Sequence, residues 1–348
     1  MAPSSPRLYF GLSKNSIVIL IIVFILFLYV AYLFLLPYKA ERHFRDGYNN
    51  TVLKRYPLAI KHLLLAQKYA PWETHYQVQL SRTYDEYAKQ QPSTRLKMAY
   101  YKKIESLHFN MIKLDPYSPW LSSRLSTLYL TINELDNNRN YIALALEQAK
   151  IAAEKDTQNP LFQLNYASFL HREGQLKQAK EYYLKTISYD PRMSEAHYNL
   201  ADIFRTEGQL DQTLSQYFSL YEHNPNFPKI ELAIANTYIQ LNQPKKAIPY
   251  LEQGIQKKPD QNSLKVLANL CIQTKQWDKA IQFYRRYFDT YGLSESLHPY
   301  YIQALVQTNS KVNIIEAYKS LIIFLQKFPN NQLAQKQLSQ LKPYITVQ

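Results

Sequence analysis

Glycine is scarce in this sequence. Only 6 glycines occur among its 348 residues, against 31 tyrosines. All-β folds and nucleotide-binding α/β folds place glycine in tight turns and phosphate-binding loops, because glycine adopts left-handed backbone conformations at little steric cost. The composition therefore argues against both classes and favours a helical protein.

Cysteine is nearly absent as well. The single Cys271 excludes an intrachain disulfide framework and any zinc site built from several cysteines, and it leaves the redox compartment open.

Dense basic runs are also missing, although the formal net charge is +14. Such a charge attracts anionic partners, but the lysines are scattered in short pairs such as Lys102–Lys103. We interpret them as solvated helix faces, which disfavours nucleic acid as the partner.

Motifs for catalysis and metal binding are missing too. The eight histidines are not spaced as metal ligands along the sequence, and no His-Glu-x-x-His pair is present. The sequence contains no Gly-x-Ser-x-Gly motif, glycine-rich phosphate loop or kinase signature. The sequence therefore predicts no catalytic residue, no metal site and no cofactor, and hence a protein that is not an enzyme.

One long apolar run lies near the N-terminus. Every residue of Ile17–Leu36 is apolar or tyrosine, and no charge occurs between Lys14 and Lys39. About 20 helical residues at about 1.5 Å each match a hydrocarbon core of about 30 Å. We therefore predict a single transmembrane helix over residues 16–37. The run ends in Leu-Leu-Pro-Tyr rather than in small residues, which favours an uncleaved anchor over a signal peptide.

The charges that flank this helix bear on its orientation. Downstream basic residues outnumber upstream ones, with Arg7 and Lys14 before the helix and Lys39, Arg42, Arg45, Lys54 and Arg55 after it. The positive-inside rule then favours a cytoplasmic location for the rest of the chain. A short basic tail before a single helix is also how a signal anchor begins, so the extracytoplasmic side stays open as the alternative.

The central part of the sequence repeats with a constant period. Pro191, Pro225 and Pro259 lie 34 residues apart, and so do the similar segments Arg172–Leu176 and Thr206–Leu210. A period of about 34 residues is typical of paired antiparallel helices with a proline after the second helix, where it cannot continue the helix.

The residues of each unit resemble the tetratricopeptide-repeat (TPR) family. The unit starting at Ser194 has the family's pattern in His197, Leu200, Ala201, Phe204, Gly208, Thr213, Tyr217, Leu220 and Pro225. The unit from Pro160 has Tyr166, Ala167, Leu170, Gly174, Ala179, Tyr183, Thr186 and Pro191. The unit from Pro228 has Ile234, Ala235, Tyr238, Ala247, Leu251, Gly254 and Pro259, with Asn242 in place of the turn glycine. The next unit has Leu267, Ala268, Cys271, Trp277, Ala280 and Tyr284.

This resemblance implies an all-α fold, namely a right-handed TPR α-solenoid of antiparallel helix pairs preceded by one transmembrane helix. Small residues at the helix crossings let the backbones approach, and aromatics fill the space on either side. Cys271 occupies an aromatic core position, so we expect a buried and inert thiol.

The match is uneven along the chain and predicts five segments. They are a short N-terminal tail (1–15), the transmembrane helix (16–37), degenerate repeats (38–159), well-matched repeats (160–293), and a degenerate last repeat with a capping helix (294–348). We expect a lengthened loop around Asp136, Asn137, Asn138 and Asn140 within the degenerate repeats.

The resemblance also implies a binding groove. In this family the first helix of each unit lines a concave wall that holds extended peptides or partner helices. Carried over to this chain, the groove positions are Asn165, Ser168, Arg172, Tyr198, Asn199, Asp202, Arg205, Asn236, Gln240, Lys265, Asn269 and Gln273. Side-chain amides there can hydrogen-bond to a ligand backbone without reading its sequence. A merely solvated polar face is the competing interpretation, but Tyr198 would then expose apolar area without a partner.

Three functional hypotheses follow. The favoured one is a membrane-anchored scaffold that binds a protein or peptide in the concave groove and organises a bacterial envelope complex. The second is an accessory subunit related to the TPR tail of membrane enzymes of the O-antigen ligase and polymerase type. The third is a helical-repeat RNA-binding protein, for which binding would weaken steeply as salt rises.

Overall fold

The computed structural model describes residues 14–136 and 139–346. Within these ranges the chain forms eighteen helices and no strand, so the predicted all-α fold is confirmed. The chain divides into two compact units, Met1–Gly174 and Gln175–Gln348. Most of the predicted tail 1–15 lies outside the described residues, as do Asn137 and Asn138 of the predicted loop.

The first unit contains seven helices. They are α1 (Lys14–Val52), α2 (Tyr56–Tyr69), α3 (Thr74–Lys89), α4 (Thr94–Leu114), α5 (Pro119–Asp136), α6 (Arg139–Lys155) and α7 (Pro160–Arg172). The pairs α1 with α2, α3 with α4 and α5 with α6 pack against each other. Small side chains lie at these crossings, since Ala59, Ala66, Ala145 and Ala149 are all 0% exposed. Their size allows the paired backbones to approach closely.

The first helix is unusually long. α1 runs for 39 residues and passes through Pro37 without interruption. Its large apolar side chains from Val18 to Leu35 are 41–79% exposed, and by length and composition this part of the helix can cross a membrane. Beyond this part the same helix packs on α2, with Ala40 fully buried. One continuous helix therefore joins the apolar segment to the first helix pair.

The second unit contains the remaining helices. They are α8 (Leu176–Tyr189), α9 (Ser194–Thr206), α10 (Leu210–His223), α11 (Ile230–Gln240), α12 (Pro244–Lys257), α13 (Gln261–Gln273), α14 (Trp277–Tyr291), α15 (His298–Gln307), α16 (Lys311–Lys327), α17 (Gln332–Leu341) and α18 (Pro343–Thr346). The pairs are α9 with α10, α11 with α12, α13 with α14, and α15 with α16. The last core residues, Ala334 and Leu341, belong to α17, which packs on α16.

The repeated small and aromatic residues form the core of the second unit. Ala235, Ala247, Ala268 and Ala280 are each 0% exposed at the helix crossings, and Tyr284 fills the space beside them. These are positions at which the sequence resembles the repeat pattern. The core is therefore built from equivalent residues of successive units.

In the second unit, each turn between paired helices contains one left-handed residue. Gly208 has a φ of 75°, and the equivalent positions hold Asn242 at 55°, Lys275 at 60° and Asn309 at 53°. A left-handed residue closes the last helical turn and redirects the chain into the next helix. Glycine and asparagine tolerate this conformation, whereas Lys275 is strained there.

Candidate partner-binding surface

The predicted groove residues lie on α7, α9, α11 and α13, each the first helix of a repeat. First helices of successive pairs also contact one another, α1 with α3 and α5 with α7 in the first unit, and α13 with α15 in the second. These three pairs of first helices therefore lie side by side.

In the first unit the predicted residues are largely engaged within the protein. The Asn165 amide nitrogen donates to the Ser126 hydroxyl at 3.1 Å and lies 3.5 Å from that of Ser123, both on α5. The Ser168 hydroxyl donates to the Leu164 carbonyl on its own helix at 2.9 Å. Only Arg172, at the end of α7, is exposed. Asn165 thus ties two first helices together.

On α9 the aromatic and charged positions are engaged as well. The Tyr198 ring lies 5.7 Å from the Tyr217 ring and 5.2 Å from the Phe227 ring, and it is only half-buried by them. These two rings therefore cover part of the apolar surface of Tyr198, for which the sequence alone had suggested a bound partner. Asp202 and Arg205 form an ion pair one helical turn apart.

In the part of the chain that the structure describes, five predicted groove residues of the second unit have side chains that form no hydrogen bond or ion pair with another protein group. We call them the open polar residues; they are Asn199, Asn236, Gln240, Lys265 and Gln273. Their neighbour Asn269 is engaged, because its side-chain oxygen accepts from the Tyr284 hydroxyl at 2.6 Å.

An open surface depression of about 610 Å³ includes Gln273 in its lining. It is lined by the α11–α12 turn, Asn242–Lys246, and by the α13–α14 turn, Gln273–Lys275. The side-chain oxygen of Gln243 is buried there, and among the described residues it has no hydrogen-bond partner. The three lysines that line this depression suit it to acidic groups, whereas the Gln243 oxygen is an acceptor and would need a donor. The sequence alone does not predict this depression, because lysines at turns are expected to be solvated.

The one cysteine does not contribute reactive chemistry. Cys271 is 0% exposed, and burial raises the pKa of its thiol to about 12. A thiol that stays protonated and enclosed is neither a nucleophile nor a metal ligand. The predicted buried thiol is confirmed.

A group of potential metal-ligating side chains lies on the first helix pair, where none was predicted. His43 and Asp46 of α1 face His62 of α2, and one ligand atom of each lies within 4.8 Å of the others. The prediction of no metal site rested on spacing along the sequence. It did not consider that His43 and His62, 19 residues apart, meet across the α1–α2 turn.

Sequence comparison finds similarity to one family. Patterns described as "Tetratricopeptide repeat" match residues 172–228, 204–265 and 263–287. All three matches include residues of α9–α14, the segment that supplies the open polar residues. No protein with a curated description matches the chain.

Solved structures have similar folds at low identity. A tetratricopeptide repeat protein from Parabacteroides merdae is 11% identical, covers 74% of this chain and 95% of its own, and has a TM-score of 0.50. PilF from Pseudomonas aeruginosa is 17% identical, with coverages of 67% and 99% and a TM-score of 0.47. YrrB, described as a TPR protein with an unusual peptide-binding site, is 15% identical, with coverages of 55% and 97% and a TM-score of 0.44. At such identities the likeness concerns the fold alone.

Proposed function

We propose that this chain, a tetratricopeptide-repeat protein, is a membrane-anchored scaffold that binds an extended segment of a partner protein along α9, α11 and α13. Helix pairs of this kind generally serve protein interaction. We further propose that the bound partner belongs to a bacterial envelope complex.

The observation that carries the binding proposal is the set of open polar residues. Gln240 and Gln273 stand at equivalent places in successive repeats, near the ends of α11 and α13, and both are exposed. Each side-chain amide has both a donor and an acceptor, as a peptide backbone does. Asn165 is equivalent to Asn199 one repeat earlier, and Asn269 to Asn236 one repeat later, but both are hydrogen-bonded within the protein. The open amides are therefore free to hydrogen-bond to the backbone of an extended ligand.

The anchoring proposal rests on the exposed part of α1. A helix satisfies its own backbone hydrogen bonds, so it can lie in lipid, and the side chains from Val18 to Leu35 are too apolar to remain in water at little cost. A cleaved signal sequence would have a similar composition. The basic residues that follow the segment favour a cytoplasmic location of the repeats.

Site-specific photocrosslinking tests the binding surface. We would place a photoreactive residue at Asn236 or Gln273 in the full chain in native membranes, with Glu222 on the second helix α10 as the matched control. We expect one protein to be captured from the two first-helix positions and not from Glu222. Equal capture from all three positions would reject the proposed surface.

A matched pair of variants strengthens this test. The double substitution Asn199→Ala and Asn236→Ala should reduce capture from Gln273 several-fold, because it removes two of the proposed backbone contacts. Gln212→Ala, on the exposed surface of α10, should leave capture unchanged. Capture of RNA that disappears between about 50 and 200 mM salt would instead favour the nucleic-acid hypothesis.

Alkaline extraction of membranes and N-terminal sequencing test the anchor. We expect the chain to stay with the membrane and to retain its apolar segment. A mature protein that begins after this segment would show a cleaved signal sequence. Labelling with a membrane-impermeant maleimide at a cysteine introduced at exposed Gln256 then determines the side of the membrane, because buried Cys271 does not react in the folded protein.

A further inference from the structure

We propose that His43, Asp46 and His62 form a binding site for a divalent transition-metal ion, such as Zn²⁺, between α1 and α2. The two imidazoles face each other, with 3.2 Å between their Nδ1 atoms. An Asp46 carboxylate oxygen lies 3.8 Å from the Nδ1 atom of His62. Two imidazole nitrogens and one carboxylate oxygen thus converge from two helices.

These distances fit a metal ion of this class. Zinc binds imidazole nitrogen and carboxylate oxygen at about 2.0–2.2 Å in tetrahedral geometry, so ligand atoms of one ion lie about 3.3 Å apart. The two nitrogens already have this separation, and a small rotation of Asp46 would bring its oxygen into place. The Asp46 side chain is free to rotate, because 47% of its surface is exposed. Three protein ligands leave a fourth position for water.

The packing of α1 on α2 holds the ligands in place. His43 and Asp46 are three residues apart and therefore lie on the same face of α1. Beside them Gly47 lies so close to α2 that an added Cβ would be 2.6 Å from Cγ of Leu63, the residue after His62. The Tyr69 ring stacks on His43, with 5.6 Å between centroids and an interplanar angle of 12°. The site is thus preorganised by contacts that do not need the ion.

Protonation is compatible with metal binding. Two Nδ1 atoms in contact require one of them to carry a hydrogen. An ion would replace that proton and bind both nitrogens. Nitrogen ligands favour Zn²⁺, Co²⁺ or Ni²⁺ over Mg²⁺ and Ca²⁺.

Calorimetric titration of the full chain in detergent micelles with Zn²⁺ tests the proposal. We expect one ion per chain, and a dissociation constant that rises at least tenfold in His43→Gln and in His62→Gln. His223→Gln is the matched control, because His223 is an exposed histidine that hydrogen-bonds to the Ser219 carbonyl in its own helix. We expect this control to bind Zn²⁺ as the unaltered chain does. Co²⁺ should give the visible absorption of a tetrahedral complex, and Mg²⁺ should not compete.

A third variant guards against loss of folding. Asp46→Asn keeps the size of an exposed side chain and removes its charge, so it should fold normally while it weakens Zn²⁺ binding several-fold. Helical circular dichroism of each variant checks the fold. Zinc affinity unchanged by all three site substitutions, or lost equally in His223→Gln, would overturn the proposal, as would no measurable binding to the unaltered chain.

Discussion

The carboxylate of Glu231 on α11 is buried against the ammonium group of Lys257 on α12. The Glu231 side chain is 3% exposed, whereas 46% of the Lys257 side chain reaches solvent. The same ammonium group donates to the Pro225 carbonyl at 2.6 Å, beyond the end of the preceding repeat. One lysine therefore satisfies a buried charge and connects neighbouring repeats.

Replacing this lysine should destabilise the fold. Lys257→Met leaves the buried carboxylate without its partner, and we expect the free energy of unfolding to fall by about 2 kcal/mol after allowance for the exposure of the lysine. The matched control is Lys279→Met, whose partner Glu252 is 27% exposed and therefore remains hydrated. That change should cost less than about 1 kcal/mol. Urea denaturation followed by circular dichroism measures both, and equal effects would contradict the account.

A methyl group at Gly47 should separate the first two helices. The added Cβ would lie 2.6 Å from Cγ of the fully buried Leu63, which cannot move aside. We expect Gly47→Ala to destabilise the protein by about 1–2 kcal/mol despite the better helix propensity of alanine. Gly254→Ala meets the flexible end of Leu232 at 2.9 Å and should cost less. Thermal unfolding compares the two variants, and the reverse order would refute the packing argument.

Stability should depend on pH through His298. This residue is 1% exposed and stacks on Phe324 at 4.0 Å, and burial lowers its pKa to about 4. Because its pKa is lower folded than unfolded, the unfolded chain binds a proton first, and stability falls as pH drops from about 6.5 towards 4. Between pH 7.5 and 5, the free energy of unfolding of His298→Phe should therefore fall by about 2 kcal/mol less than that of the unaltered chain. The free energy of unfolding is measured against pH for both proteins. An equal decrease in the two would show that His298 does not cause the pH dependence.

The turn at Lys275 offers a stabilising substitution. Its φ of 60° places a lysine where Gly208 has 75° in another repeat. Lys275→Gly should raise the free energy of unfolding by about 0.5–1 kcal/mol, because it relieves the left-handed strain by more than glycine loses in chain entropy. Gly208→Ala should lower it by a similar amount. The midpoints of urea denaturation of both variants are compared with that of the unaltered chain. A Lys275→Gly variant that is less stable than the unaltered chain would show that the turn carries no strain.

Much of the fold could be predicted from residue spacing. The 34-residue interval of Pro191, Pro225 and Pro259 marks the ends of helix pairs, and small residues such as Ala247 and Ala280 mark their crossings. These signals are local and recur in each unit, so a single sequence carries them several times. The candidate groove was harder to predict, because the sequence shows which residues face one side but not which of them already have hydrogen-bond partners within the protein.

Asn165 and Asn236 illustrate this limit. Both are asparagines on first helices, yet one donates to Ser126 on another helix and the other is exposed. The difference arises from the residue that α5 places opposite Asn165, about 40 positions away in the chain. The same applies to His43 and His62, whose approach depends on how closely Gly47 lets α2 pack.

The sequence by itself determined the helical class, the repeat period and the apolar segment, because helix periodicity and hydrophobicity act over a few neighbouring residues. Only the tertiary structure decided which polar side chains have partners within the protein, which cation pairs with Glu231 and how two histidines and an aspartate converge. Those features depend on distances between residues on different helices, and these distances follow from side-chain packing rather than from position along the chain.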